Sequence, residues 1–125
     1  MINFDRSNGD ALEHVQSSWE FYKHVKEFIY YVHIKDAKFI GRGDNGFAKA
    51  EFTFPGEGEG DVARIVEDLI RNGYDGGFSM EPHMKLVFHE STPAESAAAE
   101  RYQNYVEYGR RFMKLVDDIK AKCGK

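Results

Sequence analysis

Apolar periodicity in this chain changes its repeat several times, and Gly, Asn or Pro marks each change, so no helix or strand can run on into the next element. The order that emerges is β, α, β, loop, α, β, α. Met1 to Asp5 forms a short strand closed by Ser7-Asn8-Gly9, after which Leu12, Val15, Trp19 and Tyr22 recur at helical spacing up to about Val25. Phe28 to Asp36 is an aromatic and β-branched run too short for an ordinary helix. Asp61 to Asn72 is the clearest helix: Val62, Ile65, Val66, Leu69 and Ile70 form one apolar stripe, and Gly73 supplies a left-handed stop. Gly77 to Pro82 is the third strand. Thr92-Pro93-Ala94-Glu95 then reads as a capping box with Pro at the first helical position, opening a helix that extends to about Lys122. In that helix Ala98, Tyr102, Tyr105, Gly109, Phe112, Val116 and Ile119 alternate steps of four and three, a coiled-coil-like seam for packing on its own sheet, with self-association as the alternative.

Strands alternating with helices predict parallel β-α-β units in a single α/β domain over residues 1–125. Three parallel strands leave two open edges, so assembly with copies of the same chain, or with a partner supplying further strands, is expected.

Composition narrows the function classes. A net charge of −4 argues against nucleic acid as a partner. The longest apolar run, Phe28 to Val32, is far short of the roughly 20 residues of a membrane helix, so no membrane association is expected and a cytoplasmic location is. A lone Cys123 makes no intrachain disulfide and no Cys-based zinc site. Ten Phe, seven Tyr and one Trp supply ample large side chains for a core or an interface.

Period-two alternation sorts each strand into two faces. Ile2 and Phe4 oppose Asn3 and Asp5; Val32 and Ile34 oppose Tyr31, His33 and Lys35; Phe78 and Met80 oppose Ser79 and Glu81. Each polar face carries its chemistry near the C-terminal end, where parallel α/β proteins place their active sites, so Asp5, His33 and Glu81 are expected to converge there. Two carboxylates and an imidazole form an O, N, O donor set suited to Mn, Mg, Co or Zn.

Three ordered blocks carry a resemblance: Tyr31-Val32-His33-Ile34-Lys35-Asp36-Ala37, Phe54-Pro55-Gly56-Glu57-Gly58, and Gly73-Tyr74-Asp75-Gly76-Gly77-Phe78-Ser79-Met80-Glu81-Pro82-His83. Together with Phe4-Asp5-Arg6-Ser7-Asn8, they resemble the xylose-isomerase-like TIM barrels, a superfamily of sugar and sugar-phosphate isomerases and epimerases, inosose dehydratases and apurinic-site endonucleases. The resemblance implies a partial (β/α)8 barrel in which the three strands stand for the sixth to eighth, with Asp5, His33 and Glu81 as metal ligands and Glu81 also as the catalytic acid/base. It implies a metal-dependent isomerase or epimerase acting on a sugar or sugar phosphate by proton transfer next to a polarised carbonyl. The chain is about half the roughly 250 residues of a full barrel and has no counterpart of the family's second glutamate. A non-catalytic oligomeric module, or one half of a split barrel, is therefore the alternative expectation. Few histidines flank the site, which together with the acidic balance places a nuclease below a sugar enzyme.

Lys35, Arg42, Asn8 and His83 are candidate substrate-binding residues. Asp44-Asn45-Gly46 signals a hairpin between Lys38 and Phe54 that would project either as a flap over the site or as a solvated surface element. Gly56-Glu57-Gly58-Glu59-Gly60 resembles a phosphate loop in its glycines alone; without a P-loop Lys it reads as a tight lead into the helix.

Overall fold

The computed structural model of the chain describes residues 3–4, 15–44, 48–83 and 94–124. Its elements are β1 (Asn3–Phe4), β2 (Val15–Gln16), α1 (Ser18–Val25), a 3-10 turn (Lys26–Phe28), β3 (Tyr31–Ile34), β4 (Asp36–Arg42), β5 (Ala48–Thr53), α2 (Val62–Arg71), β6 (Gly77–Met80) and α3 (Ala94–Cys123).

The three-stranded parallel portion of a TIM barrel does not form among the described residues. Only β3 and β6 pair in parallel, with Tyr31 opposite Gly77 and Ile34 opposite Met80. The first strand is not their neighbour: β1 lies antiparallel to β2, Asn3 opposite Gln16. Ser17 explains the change. Its hydroxyl accepts from the Glu20 amide at 3.2 Å, which starts α1 there and leaves Val15 and Gln16 extended, although Val15 fits the helical stripe of Trp19 and Tyr22. The expected second strand is also divided. Its first residue, Phe28, closes a 3-10 turn, β3 runs only from Tyr31 to Ile34, and from Asp36 the chain pairs with β5 instead. The β4–β5 antiparallel pair is the hairpin that Asp44-Asn45-Gly46 signalled, with a bulge between Phe39 and Gly41 where Gly41 takes φ 114°.

Helix α2 matches its apolar stripe closely. Val66 and Leu69 are buried with Val62 and Ile70, and Gly73 follows at φ 79°. The core joins Ile34 of β3, Val62, Val66 and Ile70 of α2, and Tyr108, Phe112 and Ile119 of α3, with Val32, Phe54 and Phe78 packed against it. The seam of α3 is buried only in its later part: Gly109, Phe112 and Ile119 are covered, whereas Tyr102 and Tyr105 are exposed. The Tyr108 hydroxyl lies 3.5 Å from the Ile34 carbonyl, and burial pushes its pKa up to about 12, so it stays protonated. Tyr22 ties α1 to α2 by donating to Asp68 at 2.7 Å, and Arg64 stacks 3.8 Å from the Trp19 ring centroid.

Asp36, only 2% exposed, is where these parts meet. Burying a carboxylate is costly unless its oxygens are hydrogen-bonded. Here Oδ1 accepts from the amides of Ala37 (2.9 Å) and Gly60 (3.0 Å), and Oδ2 from those of Gly56 (2.9 Å) and Gly58 (3.0 Å). The glycine-rich segment is thus a backbone nest wrapped on a side-chain anion of the same chain. A Cβ at Gly58 would collide with the Asp36 carboxylate and the Ala37 amide nitrogen, and one at Gly60 would lie 2.8 Å from Oδ1, while Gly56 takes φ 83°, so each of the three positions calls for glycine. Glu59 adds a strand-like contact to β4: its amide donates to the Ala37 carbonyl at 2.8 Å and its carboxylate accepts from the Phe39 amide at 2.9 Å.

Asp36→Ala leaves several amides without an acceptor and is expected to cost roughly 3–5 kcal/mol in urea unfolding. Gly58→Ala is expected to destabilise the native chain and to cost less once Asp36 is already Ala; strictly additive costs would show that the collision is not with Asp36.

Candidate functional site

The parallel pair is clipped at both ends. At its start the Tyr74 hydroxyl lies 3.1 Å from the Tyr30 carbonyl and 3.0 Å from that of Gly77. At its end the Glu81 amide donates to the Ile34 carbonyl at 3.0 Å, which fixes the backbone of Glu81 one step beyond β6. Alternation along β3 then sends Val32 and Ile34 toward the core and leaves Tyr31 and His33 exposed on the other side.

Four of the candidate side chains gather at this C-terminal end. His83 Nε2 lies 2.7 Å from Glu81 Oε1, Lys35 Nζ lies 3.5 Å from the same oxygen, and His33 Nδ1 lies 3.9 Å from Oε2. The first is a hydrogen bond with the imidazole donating; the last is proximity only. The Glu81 carboxyl is held below its usual range chiefly by the bond from His83; desolvation opposes this, and the charge of Lys35 adds a smaller lowering. At neutral pH it is a carboxylate, and the arrangement makes it a base rather than an acid. Because its folded value is depressed, the ionised group favours the folded state above its ordinary pKa, and that contribution fades as pH falls through the folded value. Ser79, opposite His33 in the ladder, has a buried hydroxyl oxygen with no hydrogen-bond partner among the described residues.

The other expected site residues fall differently. Asp5 and Asn8 lie outside the described residues. Arg42 ends β4, six residues beyond Asp36, so its backbone is carried about 20 Å along the strand away from the cluster. His33 and Glu81 bring one nitrogen and one carboxylate together, but among the described residues no group of three His, Cys, Asp or Glu is arranged to hold a metal. The described residues therefore do not by themselves complete the O, N, O set, whose third member, Asp5, lies outside them.

Phe52 of β5 was not singled out in the sequence, yet it reaches the cluster. Lys35 Nζ lies 5.7 Å from its ring centroid, and the His83 ring stacks at 5.2 Å with planes 34° apart. The signal for it was the alternation Glu51, Phe52, Thr53, Phe54 in the second strand of a hairpin. A cavity of about 260 Å³ lined by Tyr22, Leu69 and Tyr74 includes none of these residues and sits by the Tyr74 end of the pair. No helix among the described residues is long and apolar enough to cross a membrane.

No family model matches the chain, and no curated protein or solved structure is significantly similar to it.

Removing either partner of Glu81 is expected to raise its titration midpoint, His83→Ala by more than Lys35→Met, as followed by the carboxyl carbon in NMR. An unchanged midpoint in both variants would show that the contacts do not persist in solution.

Proposed function

We propose that the chain acts on a small hydroxy-carbonyl compound of the sugar or sugar-phosphate class, as an isomerase- or epimerase-like protein that uses Glu81 as its base. The observation that supports this reading is one ionised carboxylate flanked by an ammonium and two imidazoles at the C-terminal end of a parallel strand pair. The resemblance of the three sequence blocks points to the same chemistry.

Glu81 takes the proton from the carbon next to the carbonyl, and negative charge develops on the carbonyl oxygen. Lys35, positively charged, and His33, on the other side of Glu81, are the groups placed to stabilise that oxygen. Isomerisation needs only one base at carbon, which lifts the proton from one carbon and returns it to the next, while the hydroxyl proton passes to the former carbonyl oxygen. Epimerisation needs an acid on the opposite face as well, and Glu81 is the single carboxylate of the described cluster. One-base isomerisation is therefore the better fit. The resemblance implies a divalent ion, but since the described donors do not complete a site, no step of this scheme runs through one.

Aldoses, ketoses and their phosphates incubated in deuterated water are expected to take up deuterium next to the carbonyl, with and without added Mn2+ or Mg2+. Glu81→Gln is expected to slow this exchange by at least about 100-fold. Absence of any Glu81-dependent exchange across both conditions would contradict the reading.

A second reading, an oligomeric module without turnover, is favoured by a different observation. Tyr102 and Tyr105 continue the seam of α3 but are 67% and 53% exposed, and Phe28 and Tyr30 are more exposed still. Self-association through that seam predicts a sedimentation mass above one chain that falls to one chain in a Tyr102→Glu, Tyr105→Glu variant; a native monomer would contradict it.

A further inference from the structure

The two oxygens of Glu81 are not equivalent. Oε1 receives both His83 at 2.7 Å and Lys35 at 3.5 Å, whereas His33 stands 3.9 Å from Oε2. Lys35 and His83 come from separate places, one leaving β3 and the other following β6, and both are partly exposed. Long exposed side chains do not hold one geometry by charge alone, because solvent screens the pair and rotamer freedom favours dispersal.

The ring of Phe52 touches both. The ammonium of Lys35 lies 5.7 Å from its centroid, and the His83 imidazole packs against it at 5.2 Å with the planes tilted by 34°. The ring itself has a fixed base. Phe52 is half-buried and stands opposite Ala37, whose amide donates to Asp36 Oδ1, and the next ladder pair is Thr53 with Asp36 itself. The hairpin is thus anchored next to the aromatic ring, and the ring is anchored next to the two cationic partners of Glu81.

We propose that Phe52 is a positioning residue: its ring, brought to the site by the β4–β5 hairpin, seats Lys35 and His83 together on Oε1 of Glu81 and leaves Oε2 as the oxygen that receives the substrate proton. The assignment of Oε2 rests on the reading of Glu81 as the base. The seating of Lys35 and His83 is tested without substrate, so its failure is distinguishable from an absence of turnover.

The test is side-chain relaxation by NMR on the full chain, reading the His83 ring C–H and the Lys35 terminal methylene, with Phe52→Leu and Phe52→Tyr compared. In the native chain and in Phe52→Tyr, the His83 ring is expected to be ordered at about 0.8, with cross-relaxation to the aromatic ring at position 52. In Phe52→Leu it is expected to fall below about 0.6 and Lys35 to loosen with it, while the backbone amide spectrum of β4 and β5 is unchanged. A His83 ring equally ordered in Phe52→Leu would overturn the proposal. Should that variant fail to fold, the native spectrum decides: a His83 ring already mobile, or without contact to Phe52, overturns it, and an ordered one in contact supports it.

Discussion

A buried carboxylate that has found its donors within its own backbone holds this small structure together. Asp36 sits where the parallel pair gives way to the hairpin, and it binds amides from the segment that leads into α2. The hairpin, the glycine-rich segment and the start of the core helix are therefore positioned by the same two oxygens. Arg111 of α3 adds an outer clamp on that segment, pairing with Glu57 at 2.7 Å while stacking 3.8 Å from the Phe54 ring centroid. The outer contact is exposed and worth little by itself. The inner one is dry, and losing it would leave polar groups buried without partners.

The site inherits its geometry from that junction. Lys35 immediately precedes Asp36, so fixing Asp36 limits where the ammonium can go. Phe52 stands beside the ladder pair of Asp36 and Thr53. Glu81 enters from the other strand, its amide held by Ile34. A charged cluster that is itself partly exposed is thus set on a rigid base, as a reacting group requires if its orientation is not to be lost to side-chain entropy.

Local signals were legible in the sequence wherever one segment carried the whole cause. The stripe of α2, the Gly73 stop and the hairpin each depend on neighbouring residues, and each formed. The meeting of His33 with Glu81 followed from period-two alternation on adjacent parallel strands, and Lys35 and His83 joined them. The three-stranded parallel sheet failed because it required long-range pairing that local pattern does not encode. Ser17 started its helix late, and Asn3–Phe4 paired with the residues just before it. The Asp36 nest was missed for a related reason: Gly56 to Gly60 shows only that the backbone is free to approach something, while its anion lies about 20 residues earlier. Phe52 was hidden because a hairpin strand gives no sign of what its tertiary neighbours are.

Amide hydrogen exchange at Ala37, Gly56, Gly58 and Gly60 tests the central claim most directly. If the Asp36 carboxylate holds these donors, their exchange is slowed to the level of the Val66 and Leu69 amides in α2, although three of them belong to a glycine-rich loop. Exchange at the rate of an open loop, with α2 still protected, would contradict it and would mean that the hairpin and the Glu81 cluster are placed by some other contact.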